Sequence, residues 1–112
     1  MGARVSKLTI TCRGFYPLHR GTLRGFAEIR INELRLTIRD VVVHEKNGKR
    51  WAQLPAKPQV RDGELVHHEH GKIQYFHLMN FDSRAVSDAF SAAVIAALLE
   101  FAPAAFEKEE AT

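Results

Sequence analysis

The sequence predicts an α+β fold: a curved antiparallel sheet of about five strands with one C-terminal helix packed on it. Three observations predict it. Apolar and polar residues alternate with a period of two through most of the first half. Gly, Pro and Asn-Gly break that alternation at hairpin intervals. One stretch of helical periodicity then follows a capping residue at Asp82 or Ser83 and stops at Pro103.

The elements follow in order. Arg4 to Arg13 alternates, with Leu8, Ile10 and Cys12 on one face and Lys7, Thr9 and Thr11 on the other. That pattern predicts a half-buried strand. Gly14 to Gly21 contains Pro17 and is expected to be a loop. Leu23 to Ile31 is the second strand, with Leu23, Gly25, Ala27, Ile29 and Ile31 inward. Asn32-Glu33 is a plausible two-residue turn, since Asn tolerates positive φ. Leu34, Leu36 and Ile38 carry the inner face of a third strand, until Asp40 breaks into Val41-Val42-Val43. A bulge at Arg39-Asp40, or a strand end buried on both sides, would explain the shift. Asn47-Gly48 turns the chain into a short strand, Arg50 to Leu54, which holds Trp51. Gln59 to Gly71 is polar and turn-rich, and Lys72 to Phe81 is a fifth, aromatic strand.

The helix spans roughly 18 residues. Val86, Phe90, Ala93, Val94, Ala97, Leu98 and Phe101 form the stripe that meets the sheet. Its second half is apolar all round, because Ala92, Ile95, Ala96 and Leu99 lie on the other side. Two apolar faces imply a second partner, most simply the same helix of another copy, so a homodimer is expected. The domain is expected to cover residues 1–102, followed by an acidic, disordered tail over 103–112.

Composition narrows the function classes. A chain of 112 residues is one domain. The single cysteine, Cys12, rules out an internal disulfide and a cysteine-based zinc cluster, which suits a reducing cytoplasm. The longest apolar run, Ala92 to Leu99, has eight residues, too few to span a bilayer. The start of the chain lacks the apolar core of a secretion signal. Net charge is +3, but Glu107 to Glu110 carries −2, leaving the rest near +5. A basic body favours an anionic partner.

The basic residues cluster on the second and third strands. Across a two-residue turn, Arg30 would face Arg35 and Phe26 would face Arg39, with Arg24 at the far end. Like charges directly opposite repel, so the arginine pair calls for solvent or an anion. Arginines beside a stackable ring are the recurring chemistry of single-strand nucleic-acid binding. Lys49, Arg50 and Lys57 would extend that surface. An exposed arginine face also serves solubility and protects sheet edges.

Several segments resemble one known family. They are Phe26-Ala27-Glu28-Ile29-Arg30-Ile31, Leu36-Thr37-Ile38-Arg39-Asp40-Val41-Val42-Val43, Gly48, Ala52-Gln53-Leu54-Pro55-Ala56-Lys57, Asp62-Gly63-Glu64 and Ala93-Val94-Ile95. Together they are similar to the sporulation stage V protein G (SpoVG) family of septation regulators. The resemblance covers roughly residues 23–98. It implies a small α+β domain, a homodimer and site-tolerant binding of DNA or RNA in gene regulation. The His-rich stretch and the long N-terminal loop depart from that family's pattern.

Other constellations point less far. His67-His68-Glu69-His70 could share a metal ion with Glu64, but it lacks helical ligand spacing and a cysteine partner, so a solvated loop and no metal are expected. Ser83, Ser87 and Ser91 sit on the helix without a nucleophile elbow. Asp40 falls in step with the apolar face and would need hydrogen-bond partners if buried. No acid, base and nucleophile can be assembled, so neither an enzyme nor a cofactor or small-molecule substrate is expected. The expected function is non-catalytic binding of DNA or RNA. The alternative is a protein-interaction module or mobile-element accessory protein that docks an acidic partner.

Overall fold

Four strands pair in chain order. The computed structural model describes residues 8–67 and 71–107. In it β1 (Ile10–Arg20), β2 (Leu23–Ile31), β3 (Leu36–Lys46) and β4 (Lys49–Gln53) form one antiparallel sheet in the order β1-β2-β3-β4. One helix, α1 (Arg84–Phe101), lies against it. It approaches the outer strands β1 and β4 more closely than the central pair, so the sheet curls around it. Ile29, Val41 and Val43 from the sheet meet Val94 and Leu98 from the helix, and all five are fully buried.

β2 has the predicted bounds and the predicted inner face. β1 does not. The expected loop Gly14 to Gly21 is mostly strand, with register shifts at Cys12/Gly14 and Pro17/Arg20. Pro17 is tolerated because β1 is an edge strand, where a missing N–H breaks no ladder. Gly25 lets β1 close in: a Cβ there would lie 2.5 Å from the Tyr16 carbonyl oxygen and 2.8 Å from the Phe15 ring.

The β2–β3 turn is longer than two residues. Asn32–Leu34 form a single 3₁₀ turn, and Arg35 follows in the left-handed region at φ 51°. The turn is tied back to the sheet: Asn32 Nδ2 donates to Thr11 Oγ1 at 2.8 Å, and the Thr9 amide donates to Glu33 at 2.6 Å. The extra residues move the register, so that Ile31 pairs with Leu36 and Arg30 with Thr37. The expected Arg30–Arg35 and Phe26–Arg39 pairs therefore do not form. The bulge at Arg39-Asp40 is present: both residues lie opposite Glu28, and Asp40 sits at φ 60°. It turns Val41 and Val43 inward. Asp40 itself is exposed rather than part of the apolar face.

The fifth strand is not part of the sheet. Lys72 to Phe81 contracts to β8 (Tyr75–His77), which pairs with β5 (Ala56–Pro58). Beyond them β6 (Val60–Arg61) pairs with β7 (Glu64–Leu65) around Asp62-Gly63, where a loop was expected. Residues 56–67 and 71–77 thus make a ribbon-like arm.

Ser83 caps α1, its Oγ accepting from the Val86 amide at 3.2 Å. Ile95 and Leu99 pack against the core of their own chain, which leaves Ala92 and Ala96 exposed. The chain does not leave the domain at Pro103. It turns, and Ala105 and Phe106 enter the core. Residues 108–112, the rest of the expected tail, lie outside the described residues. Among the described residues, no helix is long and apolar enough to cross a membrane.

Candidate nucleic-acid interface

Strand alternation decides what the sheet shows on the side away from α1. Gly25, Ala27, Ile29 and Ile31 point inward, so Phe26, Glu28 and Arg30 point outward. Their register partners build rows across the strands. Tyr16, Phe26, Val42 and Gln53 form one row. Gly14, Glu28 and the Arg39-Asp40 bulge form the next. Thr11, Arg30 and Thr37 form a third. On the other side of the aromatic row His44 pairs with Trp51, the rings stacked with centroids 5.1 Å apart.

This face holds only part of the predicted set. Arg30 and Arg39 are on it with Phe26. Arg39 Nε lies 3.1 Å from Glu28 Oε1, yet its side chain is 73% exposed. A surface pair of that kind holds its partners weakly. Arg30 differs: its Nε is shielded from solvent and has no acceptor among the described residues. An unmet guanidinium N–H in that position is costly until an acceptor arrives.

The other predicted cations are dispersed. Arg24 and Arg50 converge on Glu45, at 3.8 and 2.8 Å. Arg24 also donates to the carbonyls of Gly21 and Leu23. The Arg50 guanidinium lies 4.2 Å from the centre of the Phe106 ring, over the core rim. Arg35 is in the turn, Lys57 is on the arm, and Lys49 lines an open cleft of about 860 Å³ between β4 and the start of α1. Arg84, Trp51 and Asp88 border the same cleft.

Sequence reasoning missed Tyr16 and His44. Tyr16 was assigned to a loop because glycine and proline flank it, although its alternation with Phe15 continues the strand. It is 64% exposed beside Phe26. His44 is fixed at both nitrogens, 2.9 Å from Thr22 Oγ1 and 3.1 Å from Gln53 Oε1. Burial holds its pKa below the ordinary histidine value, and the nearby Arg24 charge adds to that.

Burial pushes the Cys12 thiol up, and its Sγ donates to the Gly14 carbonyl at 3.3 Å. Among the described residues, no three His, Cys, Asp or Glu side chains are grouped to hold a metal ion. His68, Glu69 and His70 lie outside them.

No family model, curated protein or solved structure matches this chain.

Proposed function

We propose that this chain is a non-catalytic regulatory protein that binds single-stranded DNA or RNA across the outer face of its sheet, in the manner implied by the SpoVG-family resemblance. One observation carries the reading: the outer face holds the Tyr16–Phe26 row and, past the Glu28 row, Arg30, whose Nε has no acceptor among the described residues. Rings accept bases by stacking, and a guanidinium lacking an acceptor takes a phosphate oxygen. Along β2, Phe26 and Arg30 are four residues apart, about 13 Å in an extended strand. An outward-curving sheet offers no groove for a duplex but leaves room for splayed bases. The chain works as a homodimer through the Ala92–Ala96 side of α1, with Ile95 and Leu99 at its border. Arg30 and Arg39 are the principal phosphate contacts. Lys49 and Lys57 are accessory ones, and Arg24, Arg35 and Arg50 contribute through the general field.

Anisotropy titration of labelled oligonucleotides at two salt concentrations tests this. Affinity should fall with salt, with a slope of about −0.7 per neutralised phosphate on a single strand. Phe26→Ala should weaken binding by about 1–3 kcal/mol while leaving the slope unchanged. Arg30→Ala should flatten the slope. Absence of salt-sensitive binding to DNA or RNA, single- or double-stranded, at low ionic strength would falsify the proposal.

A second reading, a protein-interaction module, is favoured by the exposed Tyr75, Phe76 and Leu78 on the arm. Partners retained on the protein after nuclease treatment would support it.

A further inference from the structure

The outer face carries an acid in the middle of the path proposed for a polyanion. Glu28 stands between the Tyr16–Phe26 row and the Arg30 row. A carboxylate there repels phosphate and lowers affinity for every strand alike. Such a repulsive element raises specificity when one ligand alone offers it a compensating contact.

Glu28 is held in place. It lies opposite the Arg39-Asp40 bulge, its side chain is 26% exposed, and Arg39 Nε lies 3.1 Å from its Oε1. A carboxylate has about four lone-pair sites, so one guanidinium leaves acceptor capacity on both oxygens. On the β1 side the register partner of Glu28 is Gly14, which has no side chain. The Tyr16 ring leans over that position. A Cβ at Gly14 would lie 3.5 Å from Tyr16 Oη, 3.6 Å from Tyr16 Cε2 and 3.7 Å from Glu28 Cβ. Gly14 thus lets an exposed ring and a carboxylate stand side by side.

A ring beside a carboxylate suits a base that stacks and donates. Guanine fits best. Its Watson–Crick edge carries two adjacent donors, N1–H and the N2 amino group, which match the two oxygens of one carboxylate. Adenine and cytosine place a ring-nitrogen acceptor next to their amino group. Thymine and uracil flank their single N–H with two carbonyls. In each of these an acceptor would face a carboxylate oxygen, and the two repel.

We infer that the outer face selects guanine: the base stacks on Tyr16 and donates through its Watson–Crick edge to Glu28. This rests on the single-strand binding proposed above and adds which base the face prefers. Arg39 braces the carboxylate with one nitrogen and, being mostly exposed, keeps the rest of its fork for phosphate. Arg30 takes a phosphate further along β2.

Anisotropy titration of labelled DNA strands of about ten nucleotides tests this. One strand is all thymidine. The others alternate thymidine with guanosine, 7-deazaguanosine, inosine, adenosine or cytidine. Inosine lacks the N2 amino group; 7-deazaguanosine keeps the Watson–Crick edge but cannot build guanine quartets. The guanosine and 7-deazaguanosine strands should bind the wild type about fivefold or more tighter than the adenosine, cytidine and all-thymidine strands. Inosine should fall between. Glu28→Gln should bring all the strands level. It should also bind the all-thymidine strand more tightly than the wild type does, because a negative charge has left the face. Asp40→Asn, at the other acid of that row, should keep the preference. Equal wild-type affinity for all strands overturns guanine selection and leaves single-strand binding standing. Inosine bound as tightly as guanosine, a preference lost with 7-deazaguanosine, or one that survives Glu28→Gln also overturns it. The modified strands need no variant, so the test holds even if Glu28→Gln fails to fold. No salt-sensitive binding to any strand overturns both readings.

Discussion

At the residue scale, Gly25 is where the sheet is least tolerant. The Phe15 ring and the Tyr16 carbonyl occupy the space a Cβ would need, and the carbonyl is backbone, which cannot rotate away. Gly25→Ala should therefore cost about 1–3 kcal/mol, read as a lower denaturation midpoint. Sequence pattern identified Gly25 as inward-facing, but not what lay against it, because the Phe15 ring arrives from a segment whose glycines and proline looked like a loop. His44 makes a second prediction. Gln53 Oε1 can only accept, so Nε2 donates to it, and Nδ1 accepts from the Thr22 hydroxyl. Its pKa is lowered from 6.5, chiefly by burial, with Arg24 also disfavouring the charged ring. The unfolded chain then binds this proton more readily than the folded one. His44's contribution is fully present above about pH 6.5 and is lost as pH falls toward the lowered folded value. Thermal melts at pH 7.5 and 5.5 should show this loss, and His44→Gln should reduce it. Equal acid sensitivity in both proteins would rule His44 out as its source.

At the element scale, β2 was legible, because burial on one side leaves a clean period of two, but in β3 only Ile38, Val41 and Val43 turn inward, while Leu34 falls in the turn and Leu36 is exposed. The register between β2 and β3 was not legible. The turn is two residues longer than expected, which reassigns every cross-strand partner without flipping faces, and Asn32-Glu33 carried no Gly to fix the turn length. What sets it is non-local: Asn32 and Glu33 are held by Thr11 and Thr9 from a different strand. The bulge could be foreseen because the apolar phase changes at Asp40 whatever the register. Arg35, once paired on paper with Arg30, instead ends the turn at φ 51°. Left-handed backbone costs a residue with a Cβ about 1 kcal/mol or more, and glycine almost nothing. Arg35→Gly should thus stabilise the fold by about 0.5–1 kcal/mol, seen as a higher denaturation midpoint with unchanged slope. Because Arg35 lies outside the Tyr16–Phe26 and Arg30 rows and adds only to the general field, oligonucleotide affinity should fall far less than in Arg30→Ala. A stabilised variant that loses binding would return Arg35 to the interface.

At the scale of the whole molecule, one helix and one sheet side are committed to the core, while the other sheet side and the arm are left facing outward. The helix's apolar second half was legible as needing two partners. Curvature of the sheet supplies more of that burial than a flat sheet could, since Ile95 and Leu99 reach the core of their own chain. The arm was not legible, because short strands joined by polar turns read as loop. In the homodimer proposed above, each dimer presents two outer faces, and a long enough strand meets both. The second contact is then intramolecular, and avidity can exceed single-face affinity by about 10²–10⁴. A strand of about forty nucleotides should bind the wild type much more tightly than one of about ten, which suffices for a single face. That gain should exceed the few-fold increase from the larger number of registers. Ala96→Asp separates the possibilities, because Ala96 belongs to the proposed dimer side of α1 and not to the proposed binding face. It should leave the short-strand affinity intact and remove the excess for the long strand. An excess that survives in a monomeric variant would show that the length dependence arises within one copy, and avidity between two faces would no longer account for it.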